Sequence, residues 1–106
     1  MIACTCLVQE GQIPEDTETA LRQNLNSFTE KSFGAGAQIN WIAVPAQGGF
    51  TAAKPSTSSL IMVQAPSPVA QDTRAALLRE LCESWGSETG QTINEIVGVI
   101  SDPVTA

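Results

Sequence analysis

Ile-Ala-Cys-Thr-Cys-Leu-Val-Gln, residues 2–9, is the stretch on which the fold turns. Read as a strand, it sets Ile2, Cys4, Cys6 and Val8 on one face and Ala3, Thr5, Leu7 and Gln9 on the other. Gly11 and Pro14 break it, and the acidic residues Glu15, Asp16 and Glu18 then suit the positive end of a helix dipole. Leu21, Leu25 and Phe28 keep helical spacing, and Gly34 offers a left-handed cap. Ile39 to Val44 reads as a second strand and Pro45 to Ser59 as a loop. Leu60 to Ala65 is a third strand. Ser67-Pro68 opens a second helix, which carries Leu77, Leu78, Leu81, Cys82 and Trp85 and ends at Gly90. Glu95 to Ser101 is a fourth strand, stopped by Asp102-Pro103.

The order is β-α-β twice, with pseudo-repeat halves at 1–54 and 55–106 of one domain. At an offset of 56, Leu21 falls on Leu77, Leu25 on Leu81, Gly34 on Gly90 and Val44 on Ile100. The expected class is α/β (α+β): tandem β-α-β units, each a right-handed crossover with parallel strands, forming a four-stranded sheet with two helices on one face. A ferredoxin-like sheet, antiparallel throughout, shares the order and is the alternative. Ile39 and Trp41 oppose Ile42 and Val44, and Leu60 and Met62 oppose Ile61 and Val63, so these strands are apolar on both faces. Two helices cover one face; a second copy of the chain is the simplest cover for the other.

Composition narrows the function. The 106 residues carry a formal net charge of −6, with no basic cluster, which opposes nucleic-acid binding. No apolar run reaches the roughly 20 residues of a membrane span. The apolar N-terminus lacks a basic leader, and three cysteines are an odd number for a disulfide scaffold, so a cytoplasmic location is expected. The absence of histidine removes the commonest general base and the commonest metal ligand. Cys4 and Cys6 run in phase with Ile2 and Val8 and read as small buried hydrophobes; no metal site and no cofactor are expected. Arg74 and Arg79 lie near Glu80 and Glu83 in sequence, suggesting surface ion pairs.

The opening Met-Ile-Ala-Cys-Thr-Cys-Leu-Val-Gln-Glu-Gly (Met1 to Gly11), the acidic helix after it, the doubled β-α-β order and the Gly48-Gly49-Phe50 loop together resemble the tautomerase superfamily, which includes 4-oxalocrotonate tautomerase and macrophage migration inhibitory factor. The resemblance covers most of the chain. It implies a homotrimer and an isomerase that moves a proton between carbon and oxygen of a small keto acid. It also implies an N-terminal proline as catalytic base, arginines that hold substrate carboxylates, and a phenylalanine wall. Here Phe50 matches the wall, and Met1 stands in place of the proline. Gln12 replaces one arginine, and the other falls at Ile39 or Asn40. The implied site is therefore Met1 as the amine, with Phe50, Lys54, Asn40 and Gln12 for binding a small carboxylate. A primary amine acts as a base or forms an imine. The alternative is a non-catalytic relative that keeps the trimeric fold as a small-anion-binding or structural protein.

Overall fold

The computed structural model describes residues 1–103. Strand β1 (Ile2–Gln9) leads to helix α1 (Glu15–Phe33) and strand β2 (Ala37–Val44). Two short strands, β3 (Phe50–Thr51) and β4 (Lys54–Pro55), form a hairpin. Strand β5 (Ser59–Gln64), helix α2 (Gln71–Thr89), a 3-10 turn (Ile93–Glu95) and strand β6 (Ile96–Ser101) complete the second unit. The sheet order is β2-β1-β5-β6. The pairs β1–β2 and β5–β6 are parallel, as expected for each β-α-β unit, and the central pair β1–β5 is antiparallel. The parallel outer pairs exclude the antiparallel ferredoxin-like arrangement.

The period-2 reading of residues 2–9 holds. Ile2, Cys4, Cys6 and Val8 are all buried beneath the helices. Ser59, Ile61 and Val63 do the same from β5, Ala65 just after it, and Ile96 and Ile100 from β6. The helices return Leu21, Leu25, Phe28, Leu81 and Trp85 to this core. Both helices end at a left-handed glycine, Gly34 (φ 74°) and Gly90 (φ 77°), where a residue with a Cβ would be strained. Their matching bounds confirm the offset of 56 for the helices.

The strands follow a different offset. The helix-facing residues are even-numbered in β1 and odd-numbered in β5, odd in β2 and even in β6. Strand offsets are therefore odd, and Ile100 shares its facing with Trp41, not with Val44 as the uniform overlay had it. The 3-10 turn adds length before β6, whereas β5 is already one residue out of step with β1 ahead of α2. Helix α2 also starts later than Ser67-Pro68 suggests, at Gln71. Asp102 explains part of this: its Oδ1 accepts from the Val69 backbone N–H at 3.0 Å and holds the approach to the helix extended.

Arg74 does not pair with the nearby glutamates. It donates to the Ile100 carbonyl at 2.6 Å, the Val69 carbonyl at 2.9 Å and Asp102 at 2.9 Å. Glu80 instead meets Lys31 of α1 at 2.6 Å. An aromatic bridge links the two units. Arg22, paired with Glu18, lies 5.2 Å over Trp41, and Trp41 stacks on Trp85 at 5.9 Å. Trp85 donates its indole N–H to Gln91 Oε1 at 3.0 Å.

Helix α2 lies close to β6 at Gly98, where an added Cβ would sit 3.0 Å from Cys82 Sγ and 3.2 Å from Leu78 Cδ2. Gly98→Val should therefore lower stability by about 1–3 kcal/mol through overpacking, read as a lower urea midpoint at unchanged m-value. The β3–β4 turn places Ala52 (φ 53°) and Ala53 (φ 62°) in the left-handed region that glycine or asparagine occupies at less cost. Ala53→Gly should raise stability by about 1 kcal/mol in the same measurement.

Candidate functional site

On the face away from the helices, the strand pairings line up three rows of side chains. The first is Ile42, Leu7, Leu60 and Val97; the second is Asn40, Thr5, Met62 and Val99. The third pairs Ala3 with Gln38 and Gln64 with Ser101. The face thus grades from apolar, at the C-terminal end of β1, to polar at its start. Ile42, Met62 and Val97 are exposed, at 39, 43 and 50%.

The apolar end holds a cavity of about 450 Å³. Its apolar lining is Leu7, Val44, Leu60 and Val97, with Phe50 brought over it by the β3–β4 hairpin. Gln9, Ser56 and Ser58 supply the polar lining. Gln9 Nε2 donates to the Ser58 carbonyl at 3.2 Å, which fixes the segment leading into β5. Thr51 Oγ1 lies 2.7 Å from Ser56 Oγ and 3.2 Å from Ser58 Oγ. The same segment is held from two other sides, by Gln12 and Gln91, each donating to the Thr57 carbonyl at 2.8 Å.

The site residues expected from sequence fall in three places. Phe50 lines the cavity and is 62% exposed. Lys54 sits on the same hairpin, opposite Thr51, exposed and outside the lining. Gln12 is at this end too, with its amide N–H committed to Thr57 and its Oε1 buried without a partner. Asn40 stands halfway along the open face, exposed, in the row of Thr5. Met1 is at the opposite end, 83% exposed, beside Gly36. Eight residues of extended chain separate Met1 from Gln9, roughly 25 Å at about 3.3 Å per residue. One copy of the chain therefore does not bring Met1 to Phe50. Gln9, Ser56 and Ser58 were missed as lining residues, because only the hairpin brings the serines over the end of β1.

A second, smaller cavity of about 240 Å³ lies between the helices, floored by Leu25, Phe28 and Trp85 and rimmed by the Lys31–Glu80 pair. Among the described residues, no group of three or more His, Cys, Asp or Glu is placed to hold a metal ion. Among the same residues, no helix is long and apolar enough to cross a membrane.

No family model matches the sequence, and no curated protein matches it. Solved structures do match. The native protein Ps01740 superposes with a TM-score of 0.87 at 23% identity, over 95% of this chain and 93% of that one. A member of the cis-3-chloroacrylic acid dehalogenase family gives 0.85 at 12% identity, over 95% of this chain and 74% of that one. A fused 4-OT, solved as a symmetric trimer, gives 0.82 at 19% identity, over 95% and 85%. The chain shares its fold with these structures. At these identities the likeness concerns the fold, and it bears out the resemblance read from the sequence.

The two strand cysteines are structural. Burial pushes the Cys4 thiol up to about 11 and the Cys6 thiol up to about 12, from an ordinary value of 9.0. Unfolded, both thiols ionise near pH 9 while the folded protein still holds their protons. Their contribution to stability is thus complete below that pH and is lost as pH rises from about 9 towards 11–12. Urea midpoints of the wild type should fall across this window, and those of Cys4→Ala/Cys6→Ala should fall less steeply.

Proposed function

We propose that the chain acts as a homotrimer and isomerises a small enolisable carbonyl compound, with the Met1 amine of one copy working against the Phe50 end of another. The observation that carries this reading is the uncovered row Ile42, Leu7, Leu60 and Val97. It is an apolar surface of four strands that, among the described residues, is covered within the chain only at its edge, where Phe50 stands. Support for the trimer comes from neighbours of the same fold that are solved as trimers. Three free thiols suit a reducing, cytoplasmic setting.

The chemistry asked of the residues is limited. A Met1 amine in its neutral form takes a proton from the carbon beside a carbonyl and returns it to the enolate oxygen, giving the enol. No atom is lost and no co-reactant is needed. Asn40, exposed in the middle of the face, is free to meet a substrate oxygen, and Lys54 gives the Phe50 hairpin its positive charge. Gln12 acts through the backbone of the segment 56–58, which it holds in place. Keto acids are the first substrates to try, because the family resemblance implies them.

A second reading is favoured by two observations. Met1 is a primary amine, 83% exposed and outside both cavities, and Gln12 has its donor committed. A trimer with no turnover then keeps the fold as a small-anion-binding or structural protein.

Two measurements test these readings. Light scattering should give threefold the 11.1 kDa chain mass, and Leu7→Glu/Leu60→Glu, which alters only the open face, should reduce it to one chain. Borohydride trapping with a keto acid at neutral pH should label Met1 at least tenfold faster in the folded protein than in urea. Equal rates would favour the non-catalytic reading, and a monomeric wild type would sink the shared site.

A further inference from the structure

We infer that the cavity beneath Phe50 binds an uncharged amphipathic molecule that brings one hydrogen-bond donor, such as a phenol or an enol, and that it discriminates against carboxylates. This rests on the Phe50 end of the reading above and narrows its substrate from keto acids to neutral enolisable compounds. It makes no use of the Met1 amine.

Three features converge. First, the volume of about 450 Å³ suits a small organic ligand, and Leu7, Leu60, Val97 and Phe50 provide an apolar bed for a ring or short chain. Second, no Lys, Arg, Asp or Glu is among the lining residues. A carboxylate entering this space loses hydration and meets no cation in the lining, since Lys54 of the hairpin is exposed outside it, so the neutral ligand is preferred. The net charge of −6 acts in the same direction. Third, the polar end offers an acceptor. The Ser58 carbonyl takes the Gln9 amide N–H at 3.2 Å, and the Gln9 amide lies beside Gly49 at the cavity wall. Among the described residues the amide oxygen accepts no hydrogen bond, and it is not enclosed. The Ser56 hydroxyl accepts the Ser58 backbone N–H at 3.0 Å and lies 2.7 Å from Thr51 Oγ1, so the hydroxyls at this end are largely engaged with one another. What remains for a ligand is the Gln9 amide oxygen, which an O–H or N–H satisfies and a carboxylate does not, and one neutral hydroxyl O–H among Thr51, Ser56 and Ser58, which does not offset a buried carboxylate charge.

The test is a matched set of three probes titrated into the isotope-labelled full chain and read from the backbone amides of Gly48, Gly49 and Ser56. The probes are 4-methylphenol, 4-methylanisole and 4-methylbenzoate at neutral pH. They share one apolar body and differ in donor and charge. The phenol should bind at least tenfold tighter than the benzoate and at least threefold tighter than the anisole. Gln9→Leu removes the acceptor and should bring phenol and anisole within twofold, with its amide spectrum showing that the fold is kept. Benzoate binding as tightly as the phenol would overturn the inference while leaving a keto-acid isomerase standing. Absence of shifts at these amides for all three probes at millimolar concentration, or an unchanged phenol preference in Gln9→Leu, would also overturn it. A phenol preference in a protein whose Met1 traps no keto acid would sustain the inference and remove the catalytic reading.

Discussion

Two helices lie on one side of a four-stranded sheet; on the other, among the described residues, only the β3–β4 hairpin and the segment after it fold over one end. The rest of the molecule answers to that asymmetry. The helix side is filled to closure: four residues of β1 and four of the segment 59–65 are buried there, and Gly98 lets α2 approach until little room is left beside Cys82 and Leu78. The open side is graded. Because register aligns Ile42, Leu7, Leu60 and Val97 in one row, apolar character is concentrated at the end where the hairpin folds over, while Gln38, Gln64 and Ser101 keep the other end polar. A sheet apolar over its whole open face would associate in many registers; a graded one favours a cover that meets one end.

The doubling of the β-α-β unit is real in the helices and altered in the strands. Helix bounds and glycine caps repeat at one spacing, since a helix of fixed length with a fixed stop tolerates little else. The strands are shifted by an odd number, which in a period-2 element exchanges the two faces. Burial holds because the apolar residues were shifted with it: Ile61 and Val63 face the helices in β5, and Leu60 and Met62 face out. The two halves then meet through different chemistry. Trp41 and Trp85 stack across the helix side, and Gln91 ties that stack to Ser59 and to the Thr57 carbonyl, so the segment behind the open-face cavity is anchored in the core.

The sequence carried most of this where the signal was periodic. Alternation in residues 2–9, helical spacing at Leu21, Leu25 and Phe28, and glycines at 34 and 90 each name an element and its inward face. Non-local signals escaped. Arg74 has glutamates nearby in sequence, yet its partners are the Ile100 carbonyl of β6, the Asp102 carboxylate just after it and the Val69 carbonyl. The β3–β4 hairpin turns on Ala52-Ala53, a pair with none of the glycine or asparagine that marks such turns, so residues 45–59 read as plain loop. Candidate site residues were legible as types. Their grouping was not: Phe50 lines the cavity, Lys54 sits on the same hairpin outside the lining, and Gln12 is tied to the Thr57 carbonyl.

The length of β1 then constrains any chemistry that uses its start. The strand is paired on both sides, with β2 along its whole length and with β5 through Cys4 to Leu7, so neither end can swing towards the other without breaking a ladder. Loop motion does not help: the β3–β4 hairpin is too short to travel the roughly 25 Å back along the sheet. A primary amine at one end and an aromatic wall at the other are joined only by a second copy laid with its start against this copy's apolar end. In the proposed trimer, the graded face is the surface that such a placement would use. A mutation in the Ile42–Leu7–Leu60–Val97 row is thus expected to act on assembly and on the site together, even at positions that touch no substrate. Catalysis, where the Met1 amine supplies it, is in this arrangement a property of the quaternary structure.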